Sequence, residues 1–377
     1  MKVMTIVGTR PELIKLSCVI KRLDQSDAFE HILVHTGQNY DYELNKIFFE
    51  NLQIRQPDYF LDVAAAGGLA ATIGNVIVKA DEVFEKEKPE ALLVLGDTNS
   101  CLSVIPAKRR QIPIFHMEAG NRCFDLRVPE EINRKVVDHL SDVNMPYSSI
   151  AREYLLREGL VPELVIKTGS PMKEVLASHA AEIEGSAVLT RMGLSPCGYF
   201  VLSAHREENV DTKDGLEKIN SILAAVHERH RLPVIFSMHP RTRKRAKDFG
   251  VEFGDYVHCE KPFGFFDYIK LQTQAFCVLS DSGTITEESS ILGFPAVNLR
   301  EVHERPEGME EGAVIMAGLS PARVAEAVRY TTANPPEAQD GRRIVADYDV
   351  DDVSSKVVKI ILSYTDYVTR RVWRKPC

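Results

Sequence analysis

Short apolar, β-branched runs alternate with longer amphipathic stretches along most of this chain. The first part reads KVMTIV, ELIKLSCVIKRL, HILVHTG, TIGNVIVKADEVFEKE, ALLVLGD, SCLSVIPAKRR, PIFHMEAG, EINRKVVDHLSD, VNMPYS, AREYLLREG and LVIKTGS. A second series runs YFVLSAH, GLEKINSILAAVHERH, PVIFSMHP, FDYIKLQTQA, FCVLSD, TITEESSILG and PAVNL. This β-α-β alternation predicts two α/β domains, each a doubly wound parallel sheet. The break falls at 168–171, where a strand ends in turn-forming residues and a less regular helical segment leads to 194–198. The spacing of VSSKVVKIILSYTDYVTRRVW predicts an amphipathic helix that packs back on the first domain. The domains expected are therefore 1–168, joined by about 365–377, and 169–364. Ligands of open parallel sheets bind outside the carboxyl ends of the strands, and two such sets of ends can face each other across a central cleft.

Residues with chemistry gather at those ends. The run FCVLSDSGTITEESS at 276–290 ends a strand at Ser280-Asp281 and opens a helix with Ser282-Gly283-Thr284, which points backbone N–H groups at any anion lying there. Glu287 and Glu288 follow, and a carboxylate at that depth could accept two hydrogen bonds from a ribose diol. Both could equally serve only the helix dipole. The first strand ends in Gly8-Thr9-Arg10-Pro11-Glu12, with Pro11 suited to the first helical turn and Lys15 on the face that looks back to the strand ends. Arg10 and Lys15 suit a diphosphate there, or are simply exposed. Asp97 and Glu118 stand at the ends of two successive strands, and Glu130 and Glu131 in a first helical turn. Such carboxylates can act as general acid and base when burial or mutual repulsion tunes them. A dipole role worth about 0.3–1 kcal/mol each also explains Glu130 and Glu131, but not Asp97 or Glu118. His205 and His239 close two strands of the second series, where a histidine can donate to a phosphate or move a proton.

With 377 residues, 44% hydrophobic and 27% charged, the chain has the composition of a globular protein with more than one core. A net charge of −8 argues against a nucleic-acid or anionic-membrane partner, although Arg241-Thr242-Arg243-Lys244-Arg245 could grip a phosphorylated small molecule or form a solvated face. The start at Met1 runs into the first strand with no basic leader or apolar signal core, and no apolar run approaches a membrane span. Seven cysteines without a CxxC pair fit a reduced, cytoplasmic setting. His116 with Glu118, and His303 with Glu304, lack the spacing of a tetrahedral metal site, so no metal is expected. The dinucleotide fingerprint GxGxxG follows none of the strands, which weakens any hydride mechanism, and no cofactor is expected.

Taken in order, Gly8 to Glu12 with Lys15, Gly96-Asp97-Thr98, His116 to Gly120, Pro129-Glu130-Glu131 with Asn133-Arg134, Ser280 to Gly283 with Glu287-Glu288, and Glu304-Arg305-Pro306-Glu307 resemble the non-hydrolysing UDP-N-acetylglucosamine 2-epimerase family. The resemblance spans nearly the whole chain and implies a GT-B-like fold, with UDP held by the C-terminal domain. It implies inversion of C2 in a UDP-N-acetylamino sugar by elimination and re-addition of UDP. Asp97, Glu118 and Glu130 would form the acid/base set, and Arg10, Lys15 and His205 would support the departing diphosphate. Ser282, Gly283 and Glu288 would hold diphosphate and ribose, Tyr268 would pack on uracil, and Arg305 would add charge. Gln38 would line the sugar pocket. The chain departs from the family at 121–128, which reads NRCFDLRV, and at Glu207. In these segments, with HPRTRKR and the terminal SYTDYVTRRVWR, it looks like the branch that interconverts UDP-2-acetamido-2,6-dideoxy-L-talose and UDP-N-acetyl-L-fucosamine for capsule or O-antigen. Phe124 and Val128 would then form a wall against the 6-methyl group. The resemblance also suggests a homodimer.

Overall fold

The computed structural model describes residues 1–37, 49–64, 68–334 and 344–375. The chain divides into two compact units, Met1–Ser178 with Asp349–Cys377, and His179–Tyr348. The first is built on β1 (Lys2–Val7), β2 (Glu30–His35), β3 (Tyr59–Phe60), β4 (Ala91–Leu95), β5 (Ile114–Met117) and β6 (Val143–Met145), in the order β3-β2-β1-β4-β5-β6. The second contains β7 (Phe200–Ser203), β8 (Val234–Ser237), β9 (Val257–Glu260), β10 (Cys277–Ser280), β11 (Ala296–Asn298) and β12 (Ile315–Met316), in the order β12-β11-β10-β7-β8-β9. Every pairing is parallel. Both sheets have the same doubly wound topology, and the winding direction reverses between β1 and β4 and between β7 and β10.

Burial explains the apolar runs. Val3 to Val7 and all of β4 are buried, because helices cover both faces of such a sheet, and the strands therefore read as continuous rather than alternating hydrophobic segments. The helix Arg10–Asp24 buries Leu13, Leu16, Val19, Ile20 and Leu23, a stripe at three- and four-residue spacing. Among the described residues, no helix is long and apolar enough to cross a membrane.

Three features differ from the sequence reading. LVIKTGS forms only a single bridge, Asn144 to Val165, because Pro146 follows β6 and has no N–H with which to continue the ladder. The edge strands β3, β9 and β12 carry too little apolar pattern to have been read. The first unit extends to Ser178 rather than 168, since the helix Met172–Ser178 buries Met172, Val175 and Leu176 within it. The returning segment likewise starts at Asp349 rather than about 365. Val353, Val357, Ile360 and Ile361 are buried along the helix Val353–Arg371, whose start is tied to the first unit by Lys173 to Asp349 at 2.5 Å and Ser354 N–H to Glu174 at 2.8 Å.

Candidate active site

In the first unit, the winding reversal sets the ends of β1, β4 and β5 side by side. Gly8 must be glycine, because a Cβ there would lie 1.9 Å from Ser100 Oγ and 2.3 Å from Thr36 Oγ1. Glu12, 1% exposed, stitches two of these ends together. One of its oxygens accepts the Gly8 N–H at 3.0 Å and the Thr9 hydroxyl at 2.8 Å, and the other accepts the Thr98 hydroxyl at 2.9 Å. Burial pushes the Glu12 carboxyl up to about 7, although these hydrogen bonds pull the other way. Arg10 opens the helix that follows.

Lys15 extends from that helix to Glu118 at the end of β5. Its Nζ lies 2.5 Å from Glu118 Oε2, with the two side chains 4% and 12% exposed, and 5.6 Å from the centre of the Tyr147 ring. Asn121 Nδ2 donates to the other carboxylate oxygen at 3.4 Å. Glu118 has φ 62°, a left-handed conformation that costs a residue with a Cβ about 1–2 kcal/mol. Such strain persists where the surroundings over-determine it, as functional sites do.

Asp97, one strand over, is held by the helix Pro129–Leu140. Arg134 donates to Asp97 Oδ2 through Nε at 3.0 Å and Nη2 at 2.6 Å, and to Glu131 through Nη1 at 3.0 Å. Asn133 Nδ2 donates to the Asp97 carbonyl at 3.0 Å. Glu131 is fully buried and also accepts the Cys123 N–H at 3.1 Å, so it anchors the loop 121–128 and is not a surface dipole residue. Glu130 is half-buried in the same first turn. Of the expected sugar wall, Phe124 is 69% exposed and meets Tyr154 edge-on at 5.3 Å, whereas Val128 is 8% exposed at the helix cap. Gln38 lies outside the described residues.

In the second unit, Asp281 draws the β7 and β10 ends together. Its carboxylate accepts the N–H groups of His205 and Arg206 and the Asn209 side-chain amide, each at 3.0 Å. The His205 ring lies 3.4 Å from the same carboxylate with 40% of its side chain exposed. Ser282 and Thr284 exchange a hydroxyl bond at 3.0 Å just before the helix Ile285–Leu292. A Cβ on Gly283 would sit 3.8 Å from Arg300 Nη1 and 3.9 Å from Arg206 Nη2, so two guanidinium groups flank the turn. Glu304 bridges them, at 3.0 Å from Arg300 and 3.6 Å from Arg206. Glu287 is fully buried and paired with Arg305 at 3.2 Å. Glu288 accepts from Gln272 Nε2 at 2.8 Å. Tyr268 stands beside Glu288, where burial and that negative charge push its phenol up and Ser203 supplies a hydrogen bond. Two cations of the Arg241 cluster are paired with carboxylates within the unit, Arg241 with Glu207 at 2.6 Å and Arg245 with Asp211 at 3.2 Å, and Arg243 donates to the Cys259 and Glu260 carbonyls.

The first unit thus presents two carboxylates on adjacent strand ends, each held by its own cation, and the second presents a small-residue turn between arginines at a helix N-terminus. The sequence reading missed Glu12 as a buried bridge, Arg134 as the clamp on Asp97, and Arg300. Arg300 stands two residues past β11, so the same rule of strand ends that found His205 points to it.

The model of the family described as UDP-N-acetylglucosamine 2-epimerase matches residues 21–362. A solved UDP-N-acetylglucosamine 2-epimerase from Rickettsia bellii superposes with a TM-score of 0.92 at 55% identity, covering 100% of both chains. The Methanocaldococcus jannaschii UDP-GlcNAc 2-epimerase, solved in complex with UDP-GlcNAc and UDP, superposes with a TM-score of 0.88 at 33% identity, covering 96% of this chain and 100% of that one. A Pseudomonas aeruginosa UDP-2,3-diacetamido-2,3-dideoxy-D-glucuronate 2-epimerase is 34% identical over 334 residues, 87% of this chain and 92% of its own.

Proposed function

Because the chain belongs to the UDP-N-acetylglucosamine 2-epimerase family and is an isomerase acting on UDP-sugars, we propose that it inverts C2 of a UDP-N-acetylamino sugar by eliminating UDP and adding it back. The observation that carries this reading is the pair of carboxylates at the ends of β4 and β5, Asp97 on Arg134 and Glu118 on Lys15. Inversion needs one group to take the C2 proton and another to return a proton to the opposite face.

One carboxylate removes the proton, and the C2–H electrons form the C1–C2 double bond as the C1–O bond to UDP breaks. The diphosphate leaves with the electron pair of the C1–O bond. The C2 proton is not acidified by an adjacent carbonyl, so stabilising the leaving group drives the step. Arg206, Arg300 and the Gly283 backbone N–H supply that stabilisation in the second unit, with His205 beside them, whereas the Ser282 and Thr284 N–H groups donate to Ser280 Oγ and Ser282 Oγ. Glu288 takes the ribose diol and Tyr268 stands at the base end. In the return step a proton reaches the other face of C2 and a UDP oxygen closes on C1. Lys15 keeps Glu118 oriented, Arg10 adds positive charge, and Glu130 completes the acid/base set.

The sugar pair of this reading is UDP-2-acetamido-2,6-dideoxy-L-talose and UDP-N-acetyl-L-fucosamine. It is supported by the likeness of segment 121–128 to that branch and by Phe124 and Leu126, which expose 69% and 66% of their surface on that loop and could meet a methyl group. A second reading, UDP-N-acetylglucosamine itself, is favoured by the 55% identity with the Rickettsia bellii protein of that name. Proton NMR in deuterated water with each UDP-sugar separately tests both. Loss of the C2 proton signal and appearance of the L-talo epimer from UDP-N-acetyl-L-fucosamine alone supports the first. Exchange only with UDP-N-acetylglucosamine replaces it by the second, and exchange with neither removes both.

A further inference from the structure

Beneath the ends of β4 and β5 lies a buried polar pair that the reaction just described does not use. His116 on β5 and Asp138 on the helix Pro129–Leu140 have side chains 1% and 0% exposed. His116 Nε2 donates to the Gly96 carbonyl at 2.7 Å, and Nδ1 lies 3.0 Å from Asp138 Oδ1. Asp138 accepts the Gly120 N–H, 3.2 Å from each oxygen, and Arg122 Nη1 at 2.7 Å. Arg122 continues to Glu158 at 2.7 Å, which His139 also reaches at 3.1 Å. Burial raises the Asp138 carboxyl, but His116 and Arg122 outweigh it and hold it below the ordinary range.

The two ends of this pair land on particular backbone atoms. Gly96 immediately precedes Asp97, and Gly120 follows Glu118 by two residues in a turn with φ 80°, where a Cβ would lie 2.5 Å from the Ala151 carbonyl. A buried carboxylate paired with a guanidinium, as Asp138 is with Arg122, carries a desolvation cost that apolar side chains of similar size avoid, so packing β5 against the helix does not by itself require these residues. The bonds they make end on two loops instead.

We infer that Asp138 and His116 are positioning residues for the epimerase reaction: one buried pair sets Asp97 through the Gly96 carbonyl and Glu118 through the Gly120 N–H. The inference rests on the proposed function, because it is inversion that needs two carboxylates placed about the same carbon. A displacement of about 1 Å at either loop is enough to cost about 10²-fold in rate.

Conservative variants at His116 separate this role from plain support of the fold. In His116→Gln the amide nitrogen falls near the Nε2 position and keeps a donor for Gly96. In His116→Asn it falls near the Nδ1 position, and the bond to Gly96 is lost. The inference expects His116→Asn and Asp138→Asn to lower kcat about 10²-fold with KM for the UDP-sugar unchanged, and His116→Gln to stay within about tenfold of wild type. UDP affinity, read by calorimetry, and the thermal unfolding profile report whether each variant is folded. If Asp138→Asn does not fold, the two His116 variants decide the matter alone. Equal losses in His116→Asn and His116→Gln, or losses that appear in KM, overturn the inference while leaving the function standing. A wild-type protein inert toward both UDP-sugars overturns the function and the inference with it.

Discussion

Lys15 and Glu118, 103 residues apart in the chain, meet at 2.5 Å with their side chains almost wholly out of solvent. Removing one partner of such a pair strands the other charge, at a cost of about 3–5 kcal/mol. Glu118→Gln keeps the shape and should lower the rate of C2 deuterium exchange about 10²–10⁴-fold. Lys15→Met should lose stability in a urea titration, and the double variant Lys15→Met/Glu118→Gln should recover part of it. A double variant as unstable as the sum of the singles would mean that the two groups do not interact.

Glu12 gives a pH test. Its carboxyl, ordinarily near 4.5, stands at about 7 in the folded protein because burial disfavours the charge. A value raised on folding means that the neutral form stabilises the fold fully below about pH 4.5, and that this contribution is lost as pH rises through 7, to the extent of about 3 kcal/mol. Glu12→Gln cannot ionise. The stability of wild type relative to Glu12→Gln should therefore fall between pH 5 and 8, and a difference that is flat across that range would contradict the assignment.

Gly283 lies close to Arg206 and Arg300 without touching either. A methyl group at this position meets only ordinary van der Waals contacts, the nearest at 3.7 Å, so Gly283→Ala should unfold at the wild-type temperature. It should nonetheless fill space that a phosphate needs. Calorimetry is expected to show UDP binding weakened about tenfold, or about 1.4 kcal/mol. Unchanged affinity would move the diphosphate away from this turn.

Phe124 combines high exposure with φ 56°, an arrangement that a bulky side chain adopts at a cost of about 1–2 kcal/mol. Phe124→Gly should relieve that strain and leave the protein at least as stable. If the ring meets a 6-methyl group, the ratio of kcat/KM for 6-deoxy over 6-hydroxy UDP-sugars should drop about tenfold. A gain in stability with no change in that ratio would assign the ring to its contact with Tyr154 alone.

The sheets were legible in the sequence because buried parallel strands write themselves as unbroken apolar runs, and the strand-end rule then located Asp97, Glu118, His205 and Ser282. Side-chain partners across the fold were not legible. Nothing near Asp97 in sequence marks Arg134, and Glu12 reads as an ordinary first-turn acid until the Gly8 and Thr98 loops close over it. Arg122 sits in the loop read as a sugar wall, yet it is a buried partner of Asp138 and Glu158. Such pairings depend on register between distant elements, which local periodicity does not carry. The expected strand at LVIKTGS failed for a related reason, since an apolar run forms a strand only where a neighbour offers N–H and carbonyl groups to pair with.

The helix Val353–Arg371 completes the first unit from beyond the whole of the second, covering the helix Arg10–Asp24. On the ribosome this imposes an order of events. Residues 1–178 emerge before residues 179–348 but stay uncapped until the segment from Asp349 onward is made, a delay on the order of ten seconds or more at common elongation rates. Residues 179–348 form one uninterrupted stretch and can fold as soon as they are out. The unit that carries Asp97 and Glu118 therefore matures after the second unit, and during that interval its exposed apolar stripe is the surface for chaperones to guard.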